Sequence, residues 1–206
     1  ILRGDHVFCI TGYFAKYYFH RSNITFEMSN GEMEVHNNSS EPWKVTLLDT
    51  GINSMTGGRV RRAKEYIENK PFMLTYGDGV SDVNIKELVK FHKKNNTKAT
   101  LTAIQPAGRF GALEINSNNI IDSFVEKPAG DGSWINGGFM VCEPEVIDLI
   151  ESDATVLEQY PLKTLAKNGQ LSAFHHHGFW QCMDTLRDKI SLNEIWEENK
   201  APWKVW

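Results

Sequence analysis

Phe72-Met-Leu-Thr-Tyr-Gly-Asp-Gly-Val80 is the stretch whose reading decides the fold. An apolar run stops at Gly77-Asp78-Gly79, and a helical pattern of Ile85, Leu88, Val89 and His92 begins a few residues later. A strand that hands over to a helix through a short turn is the building unit of an α/β domain. In open α/β sheets, ligands collect beyond the carboxyl ends of strands, so Asp78 stands where a metal ion or a ribose would sit. Gly77 and Gly79 let a ligand approach the backbone closely. The plainer alternative is a tight turn whose Asp only caps.

Working outward, hydrophobic runs and helical spacings alternate along the chain. Strands are expected at His6–Thr11, Ile24–Met28, Val45–Asp49, Phe72–Tyr76, Ala99–Ile104, Ala112–Ile115, Ile120–Glu126, Gly138–Glu143 and Leu171–His175. Val60, Ala63, Lys64 and Ile67 mark one helix, and Asp82 is placed to cap the helix of Ile85 to His92. Pro144 opens a short helix carrying Val146, Ile147 and Ile150, and a last helix is expected from about Thr185 to Glu198. The order predicts one compact α/β domain, residues 1–206, with a central mixed sheet and a C-terminal helical tail.

Composition narrows the partners. With 22 Lys+Arg against 26 Asp+Glu the net charge is -4, and no basic block is present, which disfavours nucleic acid. No apolar stretch approaches the length of a membrane span, so no membrane partner is expected. Cys9, Cys142 and Cys182 are widely spaced and odd in number, which fits reduced, buried thiols of a cytoplasmic protein better than zinc or disulfides. The sequons at Asn23 and Asn95 are read as accidental, for want of a signal peptide.

Other segments carry chemistry in combination. Ser54-Met-Thr-Gly-Gly-Arg59 puts Gly57 and Gly58 before a helix, an anion platform with Arg59 in reach, or else a plain loop. Arg109-Phe-Gly-Ala-Leu113, with Gly111, leads into a strand. Glu126 and Lys127 end another, pairing an acceptor for hydroxyls with a cation for a phosphate. Ile135-Asn-Gly-Gly138 offers the Asn136 amide. Asp184 precedes the last helix, where Asp is a favoured cap, yet Asp78 and Asp184 are the two carboxylates at element ends able to share one Mg2+. His175-His-His177 alternates faces along a strand, so at most two of its rings are neighbours, and an exposed strand end is the better reading.

Taken in order, these motifs together with Glu41-Pro-Trp-Lys44, Phe179-Trp-Gln181, Met183-Asp-Thr-Leu-Arg-Asp188 and Ala201-Pro-Trp-Lys204 resemble the sugar-1-phosphate nucleotidylyltransferases, and most closely their cytidylyltransferase branch. The resemblance covers the chain from about His20 onward. It implies a Rossmann-like nucleotidyltransferase fold with a mixed, mostly parallel sheet. It also implies CTP and α-D-glucose 1-phosphate as substrates, CDP-glucose and pyrophosphate as products, and Mg2+ as cofactor. Carried over by position, Asp78 and Asp184 resemble the metal ligands and, with Lys127, the catalytic set. Ser54, Thr56, Gly57, Gly58, Arg59 and Gly77 look like nucleotide contacts. Gly111, Glu126, Lys127 and Asn136 look like the sugar-phosphate pocket. A cytoplasmic homo-oligomer serving lipopolysaccharide O-antigen and other cell-surface polysaccharide biosynthesis is the implied setting.

The family pattern opens with a strand and a glycine-rich loop ending in Thr-Arg, followed by a lysine. The 206 residues contain no such loop, and Thr11-Gly-Tyr-Phe14 is short for the family's strand-to-helix passage. The expectation is therefore an N-terminally incomplete domain that, alone, binds CTP poorly. Two rival readings are a metal-dependent glycosyltransferase, which normally carries Asp-x-Asp where this chain has Gly77-Asp78-Gly79, and a non-catalytic sugar-nucleotide-binding subunit.

Overall fold

The computed structural model describes residues 1–4, 7–106, 112–115, 117–125 and 133–205. The chain divides into two compact units, residues 1–68 with 147–161, and residues 69–146 with 162–206.

In the first unit, β1 (Leu2–Arg3) pairs in parallel with β4 (Leu48–Asp49), and α1 spans Val7–His20. The strand expected at His6–Thr11 is therefore helix from Val7 onward. The β-branched, aromatic run that suggests a strand is the first part of a longer helical segment, and propensity yields to context. Next, β2 (Ser22–Glu27) and β3 (Glu32–Asn38) form an antiparallel hairpin. Two helices follow, α2 (Thr56–Arg62) and α3 (Lys64–Ile67), which divide the expected Val60–Ile67 helix at Ala63. Val60, Ala63, Ile147, Ile150 and Leu157 form the apolar core of this unit.

The second unit holds the five-stranded sheet of β5 (Phe72–Leu74), β7 (Ala99–Ile104), β10 (Ile135–Asn136), β11 (Met140–Cys142) and β12 (Leu171–His176). Parallel pairing is confined there to β7 with β12; β10 and β11 pair antiparallel with β7, and β5 antiparallel with β11. The sheet is mixed as expected, but its described pairs are mainly antiparallel, not mostly parallel. The cause lies in β10 and β11, which return along β7 and are kinked between Asn136 and Met140, where Gly138 and Phe139 take positive φ. A separate ribbon joins β6 (Gly79–Ser81) to β13 (Trp180–Cys182), and a hairpin joins β8 (Ala112–Ile115) to β9 (Ile121–Val125).

β7 is nearly all buried, so its hydroxyls need internal partners. Thr100 Oγ1 lies 2.8 Å from His92 Nδ1 and 2.7 Å from Ser172 Oγ, and Thr102 Oγ1 donates to Phe139 O at 2.9 Å. His92 comes from α4 (Ile85–Asn95), whose buried Leu88 and His92 are one turn apart. Asn84 caps this helix by accepting from Glu87 N at 3.1 Å. The expected cap, Asp82, faces His176 instead. A 3₁₀ turn at Pro144–Leu149, α5 (Tyr160–Lys167) and α6 (Leu186–Glu197) complete the chain. Among the described residues no helix is long and apolar enough to cross a membrane.

Candidate active site

The two carboxylates singled out in the sequence end on one ribbon. Cys182 pairs with Gly79, and one step further the Met183 amide donates to Asp78 O at 2.8 Å. Asp78 and Asp184 thus leave the same end of the β6–β13 ribbon, one from each strand. Both are exposed. Among the described residues beyond its chain neighbours, nothing stands within 4 Å of where a Cβ on Gly77 would lie.

Asp184 is not the cap of α6. Thr185 takes that position: its hydroxyl accepts from Asp188 N at 3.2 Å, and Asp188 Oδ2 accepts from Thr185 N at 2.9 Å. That reciprocal box satisfies the helix start without Asp184. Asp184 Oδ2 instead accepts from the Cys182 thiol at 3.2 Å. Burial, then the neighbouring carboxylate, raises the pKa of Cys182. Two hard oxygen donors, exposed and free of capping duty, fit Mg2+, which takes one or two protein carboxylates and completes its shell with water and substrate phosphates. Among the described residues no group of three or more His, Cys, Asp or Glu side chains is placed to hold a metal ion.

Asn136 is half-buried and committed at both ends. Its Nδ2 donates to Tyr76 OH at 3.1 Å, and its Oδ1 accepts from Gly138 N at 3.0 Å. Trp180 Nε1 donates to Gly137 O at 2.8 Å, which ties the ribbon to the kink beside Asn136. Asp78, Asn136 and Asp184 therefore belong to one connected set with Tyr76 and Trp180. Gly111, Glu126 and Lys127 lie outside the described residues.

The first unit holds Ser54, Thr56, Gly57, Gly58 and Arg59, with their polar groups engaged. The buried Ser54 hydroxyl donates to Thr50 O. Thr56 Oγ1 donates to Glu158 at 2.7 Å and accepts from Leu157 N at 2.9 Å. Arg59 braces the preceding loop, with Nη1 at 2.8 Å from Thr50 Oγ1 and 3.1 Å from Gly51 O, and Nη2 at 3.3 Å from Ile52 O. Gly57 and Gly58 are buried against residues 153–155, and Met55 N and Gly58 N donate to Asp153 O at 2.8 Å and Thr155 O at 3.2 Å. The start of α2 thus spends amides on carbonyls of its own unit. Arg62 grips Asp153 through Nε and Nη2, and this hydrogen-bonded guanidinium lowers the pKa of Asp153.

Sequence comparison places these features in a family. The family model described as nucleotidyl transferase matches residues 23–188. The chain belongs to the nucleotidyl transferase family. It is 57% identical over 204 residues to a glucose-1-phosphate cytidylyltransferase of Salmonella typhimurium, covering 98% of this chain and 79% of the relative. A mannose-1-phosphate guanyltransferase of Saccharomyces cerevisiae is 34% identical over 143 residues, 66% of this chain and 40% of that protein. Among solved structures, HddC from Yersinia pseudotuberculosis superposes with a TM-score of 0.57 at 21% identity, covering 76% of this chain and 68% of that one. That likeness speaks for the α/β nucleotidyltransferase fold alone.

Tyr76, Trp180, Thr185 and His176 join the site through contacts of the folded chain. The spacing Thr185-x-x-Asp188 was a legible capping signal. The others depend on long-range pairing. His175 and His177 are exposed, with ring centroids 4.3 and 5.3 Å from that of Trp134, as suits an exposed strand end. The cysteines are free, but only Cys142 is buried; Cys9 is exposed and Cys182 half-buried, because Cys9 lies on the outer face of a helix and Cys182 on a two-stranded ribbon.

Proposed function

We infer that this chain is a glucose-1-phosphate cytidylyltransferase, joining CTP and α-D-glucose 1-phosphate into CDP-glucose with release of pyrophosphate. The observation that carries it is the 57% identity to the Salmonella typhimurium enzyme over 98% of the chain, a span that includes Asp78 and Asp184. The chemistry needs no nucleophile from the protein. An oxygen of the sugar phosphate attacks the α-phosphorus of CTP, forming the new O–P bond as the bond to the β-phosphate oxygen breaks and pyrophosphate departs in line. Catalysis is then positioning and charge neutralisation.

On this reading Asp78 and Asp184 hold Mg2+, which when bound neutralises phosphate charge and orients the reacting groups. Lys127 holds the attacking phosphate, while Gly111, Glu126 and Asn136 shape the sugar side. Asn136 acts from a fixed position, since both ends of its amide are already anchored. Ser54, Thr56, Gly57, Gly58 and Arg59 serve the nucleotide side through the loop they build, and Gly77 leaves room beside Asp78. A homo-oligomeric, cytoplasmic enzyme is part of the reading on resemblance alone. Pyrophosphate release measured with CTP, UTP, GTP and dTTP against glucose 1-phosphate tests it. Release with CTP well above the others is expected; a preference for another base would overturn the assignment.

A further inference from the structure

The far end of the ribbon, away from Asp78 and Asp184, is fastened by one imidazole. His176 is the last residue of β12 and pairs with Ile104 in the five-stranded sheet. Its Nε2 lies 3.2 Å from Phe179 O, 3.2 Å from Ser81 Oγ and 2.9 Å from Asp82 Oδ1. A carbonyl and a carboxylate among these oxygens call for a proton on Nε2, which fixes the tautomer from the surroundings. Asp82 Oδ1 is sealed from water and, among the described residues, receives no well-aligned hydrogen bond, so its approach to His176 is an electrostatic contact rather than a directed bond. The corner is tight at Gly178, where an added Cβ would stand 2.7 Å from His176 Cε1 and closer still to Asp82 Oδ1, so that ring or carboxylate would have to shift.

These contacts join the sheet to both strands of the ribbon. Phe179 leads into β13, and Ser81 and Asp82 close β6. Ser81 Oγ also donates to Phe179 O at 2.7 Å, and Asp82 N donates to the same carbonyl at 3.2 Å. With strands only three residues long, the spacing set at Ser81 and Phe179 is transmitted over a short distance to Asp78 and Asp184. An isolated two-stranded ribbon is marginally stable, so external anchors decide where it lies. The second anchor is the Trp180 bond to Gly137 O.

We propose that His176 is a positioning residue for the metal-binding carboxylates, acting through Ser81, Asp82 and Phe179 to hold the β6–β13 ribbon in the register that brings Asp78 and Asp184 together. This rests on the reading of those two residues as the Mg2+ ligands. Groups that orient metal ligands commonly change metal affinity by about 10–100-fold when removed.

The test is Mn2+ binding to the protein, followed by electron paramagnetic resonance of the free ion, alongside the Mg2+ dependence of pyrophosphate release. His176→Ala should weaken Mn2+ binding by about tenfold and raise the Mg2+ requirement by the same factor, with the rate largely recovered at saturating Mg2+. His176→Gln, whose side-chain amide can donate to the same oxygens, should retain most of the affinity. Unchanged Mn2+ affinity in a folded His176→Ala protein overturns the proposal, and so does a lower rate with an unchanged metal requirement, which marks a merely structural part. If His176→Ala fails to fold, Ser81→Ala carries the test: weakened Mn2+ binding supports the proposal and unchanged binding overturns it. Wild-type Mn2+ affinity in both Asp78→Asn and Asp184→Asn would instead sink the underlying metal reading.

Discussion

Replacing Gly58 by alanine separates two uses of a glycine pair. Gly58 lies inside α2, where alanine would ordinarily gain about 1 kcal/mol of helix stability. Here the added Cβ would stand 2.5 Å from the Cα and 2.7 Å from the carbonyl carbon of Asp153, closer still to its oxygen. The obstruction is backbone, so no side chain can swing aside. Relief requires the 153–155 segment to retreat, and that segment receives the amides of Met55 and Gly58 and carries the carboxylate gripped by Arg62. Overpacking costs about 1–3 kcal/mol. Weakening two backbone hydrogen bonds adds about 1 kcal/mol apiece. Against the propensity gain, the net expectation is a loss of about 2–4 kcal/mol. Urea unfolding followed by circular dichroism reads this directly, with Gly12→Ala as the counterpart. Gly12 is inside α1, and a methyl added there would meet nothing within 4 Å among the described residues, so its replacement should stabilise by up to about 1 kcal/mol. A Gly58→Ala protein as stable as wild type but defective in CTP binding would refute the packing argument and return the glycine to ligand approach.

Asp78→Asn and Asp184→Asn should each abolish Mg2+-dependent pyrophosphate release with the circular dichroism spectrum unchanged; near-normal turnover in either variant removes that residue from the site. Lys127→Ala should raise the glucose 1-phosphate KM far more than the CTP KM, since a charge-assisted contact is worth about 1.5–3 kcal/mol; equal losses for both substrates would count against a sugar-phosphate role. Burial pushes the Cys142 thiol from 9.0 up to about 12, so its contribution to stability is full below pH about 9 and is lost as pH climbs toward 12, on the order of 4 kcal/mol in all. Urea midpoints of wild type and Cys142→Ala, compared between pH 8 and 11, should converge as pH rises, and parallel curves would contradict the buried thiol.

Elements with a strong one-dimensional signal were legible. Ala99–Ile104 is one uninterrupted β run buried on both faces, and α4 repeats its buried residues at one helical turn. The turn at Gly77-Asp78 was legible for a similar reason, although β5 ends already at Leu74 and Gly79 opens β6 rather than a passage to a helix. Hidden elements lack such a signal. β3 reads Glu-Met-Glu-Val-His-Asn-Asn, with Val35 its one residue that is not exposed, so no apolar alternation marks it. β6 and β13 are three residues each and exist by pairing across about a hundred positions of sequence, which no local window reports. The split role of the three histidines was half visible: alternation separates His176 from its neighbours, but its partner Asp82 looked like a helix cap until Asn84 took that place.

On the proposed reading of Asp78 and Asp184 as the Mg2+ ligands, their placement makes sense against the energetics of like charges. Burying two carboxylates side by side would cost desolvation and mutual repulsion whenever the cation was absent. Setting them at an exposed ribbon end avoids the first cost and screens the second, but gives up the rigidity that burial supplies. Rigidity has to come from elsewhere, and here it comes from contacts of residues one to four positions away along the chain. The Met183 amide holds the Asp78 carbonyl, the Thr185–Asp188 box fixes the helix directly after Asp184, and Trp180 ties the same strand to Gly137. None of these groups would need to touch a cation held there. A site of this kind is most sensitive to mutation where its anchors enter the sheet, at Trp180 and His176, and the loss there should appear first as weaker metal binding rather than as unfolding.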